Sequence, residues 1–247
     1  VRPKRWGEIQ TADHFYGRDK KLTGGITGDR DGMVVYDLAT DMGYAYALPN
    51  KGAYSATDKL NQWAGTEKDK IKKFYTDKSG ELQKAIRLLG KRPIPHEHSV
   101  PGVPQTNGIA ESMVKRTIRG IRVNLMQAGL PRVYWPRAAE HHWTARNVTV
   151  QARDGKSPWE RRMGEPFPGI HVPFGALVHY IPSPIASQQE KMDSTQRAGV
   201  FLGYCLQPGH KWNGEYYVAS LADFVGKDLR CDAPARACNV HVETVTS

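Results

Sequence analysis

Asp13, Asp77 and Glu111 are the residues of this 247-residue chain whose types and placing suggest chemistry. The run "EIQTADHF" alternates as a strand would and carries Asp13. "IKKFYTD" reads as a strand ending at Asp77, and Glu111 falls in the first turn of a long amphipathic helix. An Asp from each of two neighbouring strands and a Glu from a helix crossing their ends can converge on one point. Like charges so placed raise one another's pKa, and divalent cations remove that penalty. An all-oxygen donor set suits Mg²⁺ or Mn²⁺. Two such ions about 4 Å apart could activate an attacking oxygen and stabilise the leaving oxygen of an in-line phosphodiester displacement. The trio therefore points to phosphoryl transfer on nucleic acid. Spacing alone leaves alternatives open. Asp37 and Asp41 also flank a strand and compete with Asp13, and Glu111 could simply favour the positive end of its helix and pair with Lys115.

The helix beyond Glu111 adds a second feature. Lys115, Arg119 and Arg122 continue its face at spacings of 4, 4 and 3, opposite an apolar stripe of Ala110, Val114, Ile118, Ile121 and Leu125. Such a stripe could grip the phosphate backbone of nucleic acid with little sequence specificity; an ordinary solvated helix face is the plain alternative. The whole chain carries 35 Lys and Arg against 25 Asp and Glu, a formal charge of +10, which favours a polyanionic partner over a cationic one. No apolar run is long enough to span a bilayer and no secretory signal opens the chain, so a soluble intracellular protein is expected. Cys205, Cys231 and Cys238 are too few and too scattered for a disulfide framework or a zinc knuckle. The start at Val1, with a strand soon under way, suggests a piece of a longer precursor or a fragmentary gene model.

The elements that must position these residues are legible in outline. Strands are expected over 8–15, 33–38 and 43–48, the last stopped by Pro49, then a helix capped by Ser55 that runs to about Ala64. The strand ending at Asp77 precedes a helix over Glu81–Leu89 stopped by Gly90. The segment "RPIPHEHSVPGVPQTNG" reads as a long loop with a short strand near Pro93–His96. Thr106 or Asn107 can cap the long helix, which Gly129 and Pro131 end, and a further helix is expected over about 134–147. This order predicts a mixed sheet with helices packed on it over 1–150. From 151 to 247 a linker-like stretch and short strand-like runs at 176–180, 199–205 and 216–219 predict a smaller β-rich module. His141 and His142, adjacent on a helix, are better explained by packing and exposure than by a zinc site.

The segment from His96 to Asn147 resembles the catalytic-core signature of copia-type retrotransposon integrases, members of the retroviral integrase superfamily. It carries His96 and Glu97, then Pro101, Pro104, Gln105, Asn107, Gly108, Ala110 and Glu111, then Leu130 and Pro131 ahead of Trp135. "YTDKSGEL" is similar to the family's segment around its second metal-binding Asp, with Glu81 as a companion acid. Trp6 followed by Asp13 resembles the opening of the family's core, which selects Asp13 over Asp37. Downstream, "SPWERRMGEPFPGIHVPFGALVHYIP" and "KMDSTQRAGVFLGYCLQPGHKWNGEYYV" resemble the region that follows the core.

The resemblance implies an α/β, ribonuclease H-like fold: a five-stranded mixed sheet with flanking helices, followed by a small β-rich module. It implies 3′-end processing and strand transfer of element DNA into target DNA, with Asp13, Asp77 and Glu111 binding two Mg²⁺ or Mn²⁺ ions. Gln105 and Asn107 would shape a flexible loop against double-stranded DNA, and Lys115, Arg119 and Arg122 would contact phosphates. Homo-oligomers on DNA and a nuclear site of action follow from that substrate. Lys78, where the family usually has Asn, Ser112, where Arg is common, and the lack of a His-His-Cys-Cys zinc module in this sequence point the other way, to a decayed or domesticated nucleic-acid-binding protein. A ribonuclease H or other nuclease of the same fold is a third reading, which leaves the Pro-Gln-x-Asn-Gly segment and the β-rich module unexplained.

Overall fold

In the computed structural model the first half of the chain forms one five-stranded sheet, ordered β3-β2-β1-β4-β5. The structure describes residues 3–17, 24–77, 79–90, 93–98, 104–151, 153–182 and 195–246. Strands β1 (Gln10–Tyr16), β2 (Asp31–Asp37) and β3 (Gly43–Leu48) pair antiparallel as a meander. Strands β4 (Phe74–Thr76) and β5 (His96–His98) then add in parallel on the other side of β1. Every residue of β2 and β3 is buried, which fits their near-continuous β-branched, aromatic and small composition.

The linking helices are α1 (Ala53–Ala64), α2 (Gly80–Leu89), α3 (Pro104–Ala128) and α4 (Trp135–Val148). Leu60, Trp63, Leu82 and Ile86 seal one side of the sheet, while Met113, Ile121 and Trp143 belong to the same core. Helix α4 is fastened to the start of β3 by one side chain: Asn147 Oδ1 accepts from the Gly43 amide at 3.2 Å and its Nδ2 donates to the Gly43 carbonyl at 2.7 Å. A Cβ on Gly43 would stand 2.2 Å from the Trp143 ring, so only glycine permits this approach.

Several boundaries differ from the sequence reading. Helix α1 starts two residues before Ser55; its cap is Gly52, and the Ser55 hydroxyl bonds Asn50 instead. Helix α3 starts at Pro104, so Thr106 and Asn107 lie inside it rather than capping it. Proline at a first helical position forfeits no hydrogen bond, which allows the earlier start. The short fifth strand is His96–His98, because the Pro93–Pro95 stretch lacks the amide donors of a ladder. The stretch read as a linker contains helix α5 (Pro158–Met163), capped by Ser157 Oγ accepting from the Glu160 amide and closed by Gly164 at φ 89°.

The second sheet is antiparallel, ordered β6-β7-β8-β9, from β6 (Leu177–Tyr180), β7 (Arg197–Gln207), β8 (Lys211–Ser220) and β9 (Glu243–Thr246). Leu202 and Ala219 from this sheet enter the same hydrophobic core as Val35 and Trp143. His141, 5% exposed, bonds the Val172 carbonyl through Nε2 and Asn124 through Nδ1, so it is a satisfied packing residue. Its neighbour His142 packs its ring on Gly120 of α3. Among the described residues no helix is long and apolar enough to cross a membrane.

Candidate metal and nucleic-acid site

The parallel pairing of β1 and β4 sets the centre of the site. Gln10, Thr11 and Ala12 pair with Phe74, Tyr75 and Thr76 in register, so Asp13 and Asp77 follow side by side one step beyond the last pair. Neighbouring strands lie about 4.8 Å apart, which brings the two carboxylates within reach of each other. Glu111 comes in on the exposed side of the first turns of α3, a helix that packs against β1. The Asp13 carboxyl is pushed up to about 6, first by burial and next by the charge of Asp77, with Glu111 adding to it. Against these stand the His14 amide, which Asp13 Oδ1 accepts at 2.7 Å, and the charge of Lys51. Asp77 Oδ1 accepts from the Ser79 amide at 3.0 Å, an Asx turn that leads into α2.

The three acids are thus electrostatic neighbours, but they do not form a finished coordination shell. Among the described residues no three His, Cys, Asp or Glu side chains are grouped closely enough to hold a metal ion. Lys78 lies outside the described residues, as do the side chains of Gln105 and Asn107. Both Gln105 and Asn107 fall within α3, not in a loop as the sequence suggested.

The competing acids are committed elsewhere. Asp37 is fully buried and accepts from the Gly7, Ala39 and Thr40 amides at 2.8, 3.2 and 2.9 Å and from the Thr40 hydroxyl at 2.8 Å. It is the keystone of the β2–β3 turn. Asp41 pairs with Arg153 and Arg161, each at 3.0 Å, and accepts from the Tyr36 hydroxyl.

Sequence reasoning missed Lys51. Its ammonium lies 3.6 Å from the centre of the Tyr16 ring, and its charge acts on Asp13, His14 and Glu81. Register explains the position: Tyr16 pairs with Asp31 and Asp31 with Leu48, so the exit of β3 lies across β2 from the end of β1. No spacing signal in the sequence marks that juxtaposition. His14 is another neighbour, with Nε2 buried and without a partner among the described residues; burial holds its pKa below the usual histidine value. On the far side of Asp77, His96 Nε2 stands 2.6 Å from the Thr76 hydroxyl and ties β5 to β4 just before the acid.

Helix α3 presents Lys115, Arg119 and Arg122 to solvent. Its inward face is formed by Ala110, Met113, Thr117, Gly120, Ile121 and Leu125, while Val114 and Ile118 are only half-buried. The helix is therefore turned slightly from the stripe read in the sequence. Thr117 explains the turn, because its hydroxyl accepts from the Trp143 indole at 2.8 Å and donates to the Met113 carbonyl.

No family model matches the chain. It is 28% identical over 140 residues to the retrovirus-related Pol polyprotein from transposon RE1 of Arabidopsis thaliana, a match over 56% of this chain and 9% of that protein. It is 34% identical over 73 residues to the retrovirus-related Pol polyprotein from transposon TNT 1-94 of Nicotiana tabacum, over 29% of this chain and 6% of that protein. The chain thus spans about a tenth or less of these relatives. Among solved structures, a chain of the simian T-cell lymphotropic virus intasome, in complex with PP2A regulatory subunit B56 gamma, superposes with a TM-score of 0.51 at 15% identity, covering 100% of this chain and 78% of that one. By sequence the chain is similar to part of retrovirus-related Pol polyproteins, and its five-stranded mixed sheet with flanking helices and a following antiparallel sheet is a ribonuclease H-like fold that it shares with that intasome chain.

Proposed function

We propose that this chain is a DNA-binding core of the integrase type, held on duplex DNA by Lys115, Arg119 and Arg122, with Asp13, Asp77 and Glu111 as its metal ligands. The observation that carries it is the neighbourhood of an exposed basic helix face and a carboxylate trio on one helix and two adjoining strands. The donors fit hard cations: all are carboxylate oxygens, and Asp13, its pKa raised by burial first and then by the charges of Asp77 and Glu111, would be relieved by a nearby cation. Bound divalent ions would supply Lewis-acid stabilisation of the attacking and leaving oxygens. The chain's own part is to hold the phosphate backbone along α3 and to keep Asp13 and Asp77 in register. Glu111, exposed at the start of α3, would move toward them as the ions bind.

On this reading the reaction is 3′-end processing and strand transfer of element DNA, of copia type, carried out by homo-oligomers in the nucleus. Residues 151–247 would serve as a β-rich module leaning on the 1–150 core. A second reading, DNA binding without turnover, draws on the open arrangement of the three acids. The two share the fold and the basic face and part only at the chemical step.

DNA binding is tested by fluorescence anisotropy of a labelled duplex across a salt series. Neutralising one phosphate contributes about 0.9 to the slope of log affinity against log salt. Lys115→Ala, Arg119→Ala and Arg122→Ala should each lower that slope by about one and weaken binding to all sequences alike. An unchanged slope in all three would remove α3 as the DNA face.

A further inference from the structure

We propose that the cavity between β1, α3 and the start of α4 receives one unpaired nucleobase from DNA lying along α3; the proposal rests on the DNA-binding reading above. The cavity holds about 330 Å³. That lies at the lower end of the roughly 300–1,000 Å³ of small-ligand pockets.

Its chemistry selects a base over the other parts of a nucleotide. Phe15 and Trp135, edge-on at 5.8 Å, line it together with Ile118, Ile121, Leu125 and Val133. Arg122, Arg132 and Asp232 are the charged members of the lining, so a phosphate would engage the two guanidinium groups and gain nothing from the aromatic and aliphatic walls. A neutral aromatic ring gains from the same walls, since every base has a face that stacks on aromatic side chains. Trp135 is only 5% exposed, so its ring is held rigidly as a wall of the cavity.

Position ties the cavity to the rest of the site. Arg122 belongs both to the basic face of α3 and to the cavity lining, so a phosphate held there would have its own base at the opening. Tyr16, 65% exposed and covered on one face by Lys51, is a second lining residue. It lies three residues along β1 from Asp13, roughly 10 Å at the rise of a strand. A base removed here would therefore come from a nucleotide close to the phosphodiester facing the carboxylates. An unpaired base is the natural occupant, because it leaves the stack at the least cost.

The test compares a fully paired duplex with the same duplex carrying one bulged 2-aminopurine, using the intact chain. Base–aromatic stacking of about 1–3 kcal/mol predicts binding of the bulged duplex roughly tenfold tighter, with quenched 2-aminopurine fluorescence. Ile118→Trp, which fills the cavity from its half-buried side, should abolish that preference while leaving affinity for the paired duplex unchanged. Equal, salt-sensitive binding of both duplexes by the unaltered chain would overturn the cavity proposal and leave DNA binding standing. Failure to bind either duplex would overturn the DNA-binding reading and the cavity's role with it. A preference that survives in folded Ile118→Trp would place the base elsewhere. Should that variant not fold, Tyr16→Ala, a change at an exposed ring, decides in the same way: a preference undiminished by it overturns the proposal, and a preference reduced severalfold supports it.

Discussion

Asp13→Asn should make the metal-free protein more stable at pH 7.5 and at the same time blind it to divalent ions. The folded protein holds the Asp13 carboxyl at about 6 against an ordinary value of 3.8. A folded-state pKa above the unfolded one means that the native state binds this proton more tightly. The group's penalty is therefore absent below about pH 4, grows as pH rises toward 6 and is complete above it. The shift corresponds to an upper bound of about 3 kcal/mol. Residual solvent contact at this half-buried side chain reduces it to roughly 1–2 kcal/mol. For a chain of this size that is a rise in Tm of about 2–8 °C. At pH 4 the variant and the unaltered chain should differ far less. Mg²⁺ should raise the Tm of the unaltered protein, since a ligand that binds only the native state stabilises it, and leave Asp13→Asn unmoved. Thermal denaturation at both pH values, with and without Mg²⁺, measures all of this; a lower Tm for the variant at pH 7.5 would make Asp13 a structural residue.

Asp37→Ala should have the opposite sign and a larger size. Asp37 lies in the same sheet, at the end of the neighbouring strand, yet its carboxylate satisfies three backbone amides and a hydroxyl in a buried turn. Removing it strands those donors at about 1–3 kcal/mol each before the turn relaxes, so a net loss of about 4 kcal/mol is expected. Tm should fall by roughly 8–16 °C. Mg²⁺ should still stabilise what remains folded, because the Asp13 site is intact. A loss below about 1 kcal/mol would show that the turn forms without its acceptor.

That contrast also shows what the sequence could and could not disclose. Alternation and stop signals made β3 readable to the residue, α2 to within one residue and β1 to within two, and the break at Gly129 and Pro131 placed the end of α3. Asp13 and Asp37 look alike as residues flanking strands; what separates them is the β1–β4 register on one side and a turn of inward-pointing amides on the other, both long-range outcomes. Lys51 was invisible for the same reason, since its approach to Tyr16 depends on pairing across two strands. Helix α5 was legible in principle: Ser157, Pro158 and Glu160 form a capping signature, but the surrounding Gly and Pro hid it among turn signals. Strand β9 lies after a long irregular stretch and needs β8 as a template, so four residues of sequence did not mark it.

Incubating the protein with labelled duplex ends and supercoiled plasmid in Mg²⁺ or Mn²⁺ tests whether Asp13, Asp77 and Glu111 make this fold a phosphoryl-transfer site. Joining and nicking should be scored together, and the unaltered chain compared with Glu111→Gln. Metal-dependent nicking or joining is expected, falling by at least about 10³-fold in Glu111→Gln, in line with loss of a group acting only on the transition state, while DNA affinity stays the same. Equal activity in both proteins, or tight DNA binding with no metal-dependent product from either, would contradict that expectation and leave a DNA-binding protein that does not turn over.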